Sequence, residues 1–360
     1  MDYQARQEQL QRALGQHRLD AIVVTHLPNI RYLCGFTGSA GVLLLAPSHS
    51  LFFSDGRYKV QARAEVKGAA VVIGTRPALI AAAEWLATKG RKIKVLGIES
   101  EHLTVAERQQ LAKSAGRGVR VREAPPLVEQ ARAVKDPLEI DSLRAAARLG
   151  ANLFKVALKT IRPGIKEVEV AAEMEYAARQ AGAEGMSFGT IIASGERSAL
   201  PHGRATSAVI PRQGFVVCDF GVILAGYCSD MTRTVHVNTP SAKARHIYCA
   251  VREAQQAAVE AVRAGVRIER VHAAARKVLN RKRLVQYFTH STGHGVGLEI
   301  HEAPRIAAAQ TEPLRAGMVI TIEPGVYVPG FGGVRIEDMV AVTERGYQIL
   351  TPTSKELIEL

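Results

Sequence analysis

Gly214-Phe-Val-Val-Cys-Asp219-Phe-Gly-Val-Ile-Leu-Ala225-Gly226-Tyr-Cys-Ser-Asp230-Met-Thr-Arg-Thr-Val-His-Val237 is made of two apolar runs that meet at Ala225-Gly226. Runs of this kind around a glycine-containing dipeptide predict a β-hairpin. With Leu224 opposite Tyr227, Asp219 falls opposite Thr232, two residues from Asp230. Alternation along the strands then sets both aspartates on one face as diagonal neighbours, ~7 Å apart at the backbone. Two carboxylates so placed can reach one ion. The same register turns Cys218 and Cys228 to opposite faces, which argues against a disulfide between them.

A carboxylate within an apolar strand is costly unless its charge is compensated. For a single aspartate, Arg233 or Arg335 in a salt bridge would suffice. The acids recur, however. Met318-Val-Ile-Thr-Ile-Glu323-Pro324 ends a strand in Glu323, and Gly333-Val-Arg-Ile-Glu337-Asp338-Met-Val-Ala-Val sets Glu337 inside another. Two divalent cations would cancel four such charges, and a pair ~3.5–4 Å apart is an arrangement suited to hydrolysis.

The segment His290-Ser-Thr-Gly-His294-Gly-Val-Gly-Leu-Glu-Ile-His301-Glu-Ala-Pro304 adds three histidines. His290 and His294 have the spacing of a zinc-binding helix, but Gly293, Gly295 and Gly297 disfavour a helix and the glutamate after the first histidine is missing. The glycine spacing does not fit a dinucleotide loop either. A loop or strand presenting His294 to a metal is the better reading. His202, in the turn-rich Ser198-Ala-Leu-Pro-His-Gly203, reads on its own as a loop residue, and His236, His246 and His272 as structural or surface residues.

Outward from this region, the order of elements separates two domains. Toward the N-terminus, a helix over Tyr3–Gln16 precedes short apolar runs at 21–25, 41–46, 51–54, 69–73 and 94–98, with a helical stretch from 77 to 89; alternating strands and helices predict an α/β domain. Pro125-Pro126 closes it, and Lys135-Asp136-Pro137 opens a long helix, giving domains of 1–130 and 131–360. The second holds helical segments at 138–160 and 166–182, strands from 186 to 237, one long helical region at 241–283, and further strands to the end. Helices and strands grouped in this way predict an α+β domain with an antiparallel sheet, and their succession occurs twice, as in a duplicated half.

The chain has 360 residues, 47% of them hydrophobic and 22% charged, enough to bury a sizeable core. The net charge is +13, which permits nucleic-acid or anionic-membrane binding, but aromatics are only 5%. The denser basic stretch from Arg263 to Arg283 is interleaved with Ala, Val and Leu, the pattern of a solvated helix face. Nucleic acid and membrane are therefore not expected partners. No apolar run approaches the ~20 residues of a membrane helix, and the first twenty residues lack the apolar core of a signal peptide. Four cysteines without a CxxC pair suggest reduced thiols and a cytoplasmic protein.

These residues resemble the pita-bread metallopeptidases: Xaa-Pro dipeptidase (prolidase), Xaa-Pro aminopeptidase (aminopeptidase P) and, more distantly, methionine aminopeptidase. The phrases CDFG, SDMTRT, GHGVGLEIHE, IEPGVY and VRIED carry the resemblance. The N-terminal half is similar, through Asn29–Ser39 and Ser54–Tyr58, to the creatinase/prolidase N-terminal domain. The resemblance implies a pita-bread catalytic domain with a curved antiparallel sheet and two divalent metal ions per subunit. Asp219 would hold one ion, His294 and Glu323 the other, and Asp230 and Glu337 both. Carboxylate-rich ligation with one imidazole suits Mn²⁺ first, with Co²⁺, Zn²⁺ or Fe²⁺ open.

By the same resemblance, Glu323 shuttles a proton and His202 and His301 stabilise the oxyanion. His290 hydrogen-bonds the substrate, and Arg335 steadies a ligand carboxylate. Arg305, four residues after His301, could pair with the C-terminal carboxylate of a dipeptide. The implied activity is exopeptidase cleavage of the Xaa-Pro bond by a homodimer in which one subunit's N-terminal domain approaches its partner's active site. Dipeptidase is the reading taken, with aminopeptidase P on longer peptides as the alternative. Creatinase, which shares the fold without metals, and a catalytically inert protein-binding module are the other classes.

Overall fold

The Asp2 carboxylate accepts a hydrogen bond from the Ala5 N–H and starts α1 (Tyr3–Gln16), which buries Leu10 and Leu14. The computed structural model describes residues 1–90 and 92–360, in two units, Met1–Arg132 and Ala133–Leu360. In the first unit, α1 is followed by β1 (Ala21–Val24), α2 (Leu27–Cys34), β2 (Val42–Ala46), β3 (His49–Asp55), α3 (Lys59–Glu65) and β4 (Ala70–Gly74). Then come α4 (Ala78–Thr88), β5 (Val95–Glu99), α5 (Val105–Ala115), β6 (Arg120–Ala124) and α6 (Leu127–Arg132).

The six strands form one sheet in the order β4-β3-β2-β1-β5-β6. It is mixed: β1–β2 and β2–β3 are antiparallel, while β3–β4, β1–β5 and β5–β6 are parallel. Val23, Leu44, Phe53, Leu96 and Ile98 on one face pack against Ala82, Ala83 and Leu86 of α4 and Leu111 of α5. The sequence pattern does not single out α2 or α5. Pro28 near the start of α2 and the Thr104/Glu107 capping box of α5 are the local signals for them.

In the second unit Asp136 caps α7 (Pro137–Thr160), with Pro137 in its first turn and Glu139 completing a capping box. After α8 (Glu167–Gln180) come β7 (Gly185–Met186), β8 (Ile191–Ser194), β9 (Gly214–Phe220), β10 (Val222–Leu224), β11 (Tyr227–Cys228) and β12 (Met231–Val237). The predicted single helical region at 241–283 is two helices, α9 (Ala242–Glu260) and α10 (Ile268–Arg281), separated where Gly265 adopts φ +82°. The basic residues of α10 are exposed. The remaining strands are β13 (Gly293–Gly295), β14 (Glu302–Ile306), β15 (Val319–Ile322), β16 (Gly325–Val328), β17 (Gly332–Arg335), β18 (Asp338–Val342) and β19 (Tyr347–Ile349).

They assemble as β11-β10-β7, β12-β9-β8, β14-β13-β15-β18-β19 and β16-β17, each neighbouring pair antiparallel. Apolar clusters hold these sheets. Leu153, Phe154 and Met174 of α7 and α8 pack against Val216, Phe220 and Val235. Ile247, Val251 and Leu279 of α9 and α10 pack against Ile320, Val334 and Val340.

The hairpin has the expected register, with Leu224 opposite Tyr227 and Thr232 opposite Asp219. Ala225 (φ 49°) and Gly226 (φ 83°) make its turn, both left-handed as a two-residue hairpin turn requires. It is not continuous, however. Gly221 and Ser229-Asp230 interrupt the ladder, and the two ends join different sheets. A Cβ on Gly221 would lie 1.8 Å from the Ser229 carbonyl oxygen, so only glycine permits this approach. The bend leaves Asp230 just outside β12. Glu337 likewise departs from expectation: it is not inside a strand but in the Ile336-Glu337 joint between β17 and β18. Cys218 and Cys228 are buried in different clusters.

Candidate active site

A cavity of about 680 Å³ in the second unit is lined by all ten residues singled out from the sequence: His202, Asp219, Asp230, His290, His294, His301, Arg305, Glu323, Arg335 and Glu337. Asp219 reaches it from β9, Asp230 from just before β12, His294 from β13, Glu323 from just after β15 and Glu337 from the β17–β18 joint. Ligand atoms of Asp230, His294 and Glu337 lie within 4.8 Å of one another. The His294 Nε2 is 3.5 Å from Asp230 Oδ2 and 3.4 Å from Glu323 Oε1.

The His294 ring is oriented from behind. Its Nδ1 is 3.0 Å from the Gly295 carbonyl oxygen, so Nδ1–H donates there and the Nε2 lone pair faces the carboxylates. Burial pushes its pKa down to about 4, which keeps the imidazole neutral and able to ligate. The acids are pushed the other way. Burial first, then repulsion from Glu337, Asp219 and Glu323, raises Asp230 well above the carboxylate range. Burial and the charges of Glu323 and Asp219 do the same to Glu337. Burial lifts Glu323 to about 7 although Arg335 opposes it.

Arg335 supplies one compensating charge. Its Nη2 donates to Asp219 Oδ2 at 2.6 Å, its Nε to Thr232 Oγ1 at 3.1 Å, and its Nη1 to the Pro201 carbonyl at 3.0 Å. Arg233, the other arginine considered for Asp219, is taken up by Asp338 at 2.7 Å. Thr232 Oγ1 in turn donates to Glu337 Oε2 at 2.7 Å. The outer oxygens of Asp219 and Glu337 are thus held, while the buried Asp219 Oδ1 and Glu337 Oε1 have no hydrogen-bond partner among the described residues. Buried, partnerless carboxylate oxygens beside a neutral imidazole fit hard divalent cations, which take oxygen donors and one nitrogen.

A second chain of bonds runs from Arg335 Nη1 to the Tyr327 hydroxyl at 2.7 Å and on to His290 Nε2 at 3.0 Å. His290 is held neutral by burial and by Arg335, its pKa pushed down to about 4. The His301 ring stands edge-on to His294 at 4.3 Å. His202 follows Pro201, whose carbonyl Arg335 fixes. Arg305 pairs in register with His294 across β13–β14.

Three supporting residues have no assigned role in the sequence reading. Thr232 was placeable, since the hairpin register sets it opposite Asp219. Thr321, whose hydroxyl accepts from the His294 N–H at 3.1 Å, and Tyr327 depend on contacts between strands distant in sequence. His272, read as structural or surface, is buried, with Nδ1 2.8 Å from Thr292 Oγ1.

Residues 141–344 match the model of metallopeptidase family M24, and residues 6–134 match the creatinase/prolidase N-terminal domain. The chain is similar to the Xaa-Pro dipeptidase of Pyrococcus horikoshii, 38% identical over 96% of both chains. Among solved structures it is similar to an Xaa-Pro dipeptidase from Bacillus anthracis (TM-score 0.96, 40% identity, 100% of both chains). It is also similar to an X-Pro aminopeptidase from Thermotoga maritima (TM-score 0.90, 34% identity, 99% of this chain and 100% of that one).

Proposed function

Because this chain belongs to metallopeptidase family M24 and carries a creatinase/prolidase N-terminal domain ahead of the peptidase domain, we propose that it is an Xaa-Pro dipeptidase. One observation carries the reading: Asp219, Asp230, His294, Glu323 and Glu337 face one cavity with more negative charge than Arg335 can offset, and two of their buried oxygens lack partners. We assign these five as the ligands of two divalent ions, with Mn²⁺ the first candidate among oxygen-preferring metals. When bound, such ions act as Lewis acids and bring the pKa of water down to about 7.

The chain's own residues do the rest. Glu323 takes a proton from the attacking water and returns it to the departing proline nitrogen. His202 and His301 stand in the cavity wall as donors to the scissile carbonyl oxygen as charge develops on it. His290, with Nδ1 on the Ser291 carbonyl and Nε2 on the Tyr327 hydroxyl, lines the cavity and exchanges its Tyr327 bond for one to the substrate backbone. Arg335 keeps Asp219 aimed inward. The free amine of the substrate is drawn to the acidic end, which limits cleavage to the N-terminal bond, and Arg305 takes the carboxylate of a dipeptide.

The proposal extends to domains of 1–130 and 131–360, to a homodimer, and to a cytoplasmic location. Cysteines that form no disulfide among the described residues support the last, and no helix among those residues is long and apolar enough to cross a membrane. The test is to offer Ala-Pro and Ala-Pro-Ala to Mn²⁺-loaded protein. Hydrolysis confined to Ala-Pro is expected; preferential turnover of Ala-Pro-Ala would move the assignment to aminopeptidase P, and cleavage of neither would reject it.

A further inference from the structure

The cavity contains a second guanidinium, besides Arg305, without a carboxylate partner among the described residues. Arg204 lines the wall two residues after His202. Its Nε would be 3.8 Å from a Cβ built on Gly189, so the side chain runs over the Gly189 backbone, which also lines the cavity. The loop bearing it is fixed rather than loose. Arg197, itself paired with the buried Glu167, donates to the Arg204 carbonyl at 3.0 Å, and Arg335 holds the Pro201 carbonyl. Gly203 sits where a Cβ would meet Ala193 at 3.1 Å. Neither Arg204 nor Arg305 has a carboxylate partner among the described residues, although Asp219, Asp230, Glu323 and Glu337 line the same cavity.

The cavity lining therefore carries both signs: the carboxylates with His294, and Arg204 and Arg305, two and four residues after the histidines assigned to the scissile carbonyl. A substrate carrying a positive amine at one end and a negative group at the other matches both. A backbone carboxylate accepts two parallel N–H bonds from a guanidinium, whereas a neutral amide at that position gains no charge-assisted bond. We propose that Arg204 is a specificity-determining residue that acts with Arg305 to bind the free C-terminal carboxylate on the leaving-group side of the scissile bond. The enzyme thereby selects dipeptides over peptides that continue. This inference rests on the dipeptidase reading and adds a residue to it.

The experiment compares Ala-Pro with its C-terminal amide, using Mn²⁺-loaded wild type, Arg204→Met and Arg204→Lys. Loss of a charge-assisted contact to an exposed carboxylate should raise KM for Ala-Pro about tenfold in Arg204→Met with kcat nearly unchanged. The amide should show a much smaller change, and Arg204→Lys should recover part of the loss. Equal effects on acid and amide, a fall in kcat alone, or an unchanged KM would overturn the role of Arg204 and leave the dipeptidase reading standing. Failure of the wild type to cleave Ala-Pro would reject both.

Discussion

Burial outweighs Arg335 in setting the Glu323 carboxyl at about 7, well above its ordinary 4.5. A carboxyl raised on folding stabilises the native state below its unfolded value, and that contribution disappears as pH climbs through about 7. In metal-free protein, going from about pH 5.5 to about pH 8 should cost the wild type on the order of 1–2 kcal/mol more than Glu323→Gln. Urea unfolding of both proteins at the two pH values measures this, and parallel pH dependence would contradict it. A divalent ion takes the place of those protons, so binding should release them from carboxylates and not from His294, which burial keeps neutral down to about 4. Arg335→Met would free Asp219 Oδ2 from its 2.6 Å bond. Losing a group that orients a ligand typically costs about 10–100-fold in metal affinity or activity, and kcat/KM for Ala-Pro should fall by that much.

At the level of elements, the bend between β9 and β12 decides whether Asp219 and Asp230 meet. Gly221→Ala would drive a Cβ into the Ser229 carbonyl and should destabilise by about 3 kcal/mol, with loss of activity in whatever folds; an unaltered denaturation midpoint would show the bend to be soft. The hairpin register was legible because two apolar runs meet at Ala225-Gly226, which marks the turn. The interruption was not, because it depends on Gly221 passing against the Ser229 backbone, eight residues away. Glu337 was read as a strand residue for a related reason: Gly333–Val342 looks uninterrupted in sequence, yet β17 pairs with β16 and β18 with β15. The split of 241–283 follows from Gly265, where the flanking chain bonds to Thr343 and Leu314 rather than to its own helix. The side chains to which chemistry is assigned were singled out through their motifs, whereas Thr321 and Arg204, and the contacts of Tyr327, join the cavity through tertiary packing.

For the whole molecule, the account requires a cluster of like charges that folding cannot neutralise with its own residues. Homodimer formation is expected in solution, and sedimentation velocity showing a single chain would contradict that part of the proposal. Asp230→Asn should keep the wild-type circular dichroism and abolish Ala-Pro hydrolysis, since only a ligand atom is exchanged. The most direct measurement is a calorimetric titration of Mn²⁺ into chelator-treated protein. The account predicts binding of two ions per chain in the wild type and the loss of at least one in Asp230→Asn. A wild type that binds no Mn²⁺, or an Asp230→Asn protein that binds it undiminished, would contradict it.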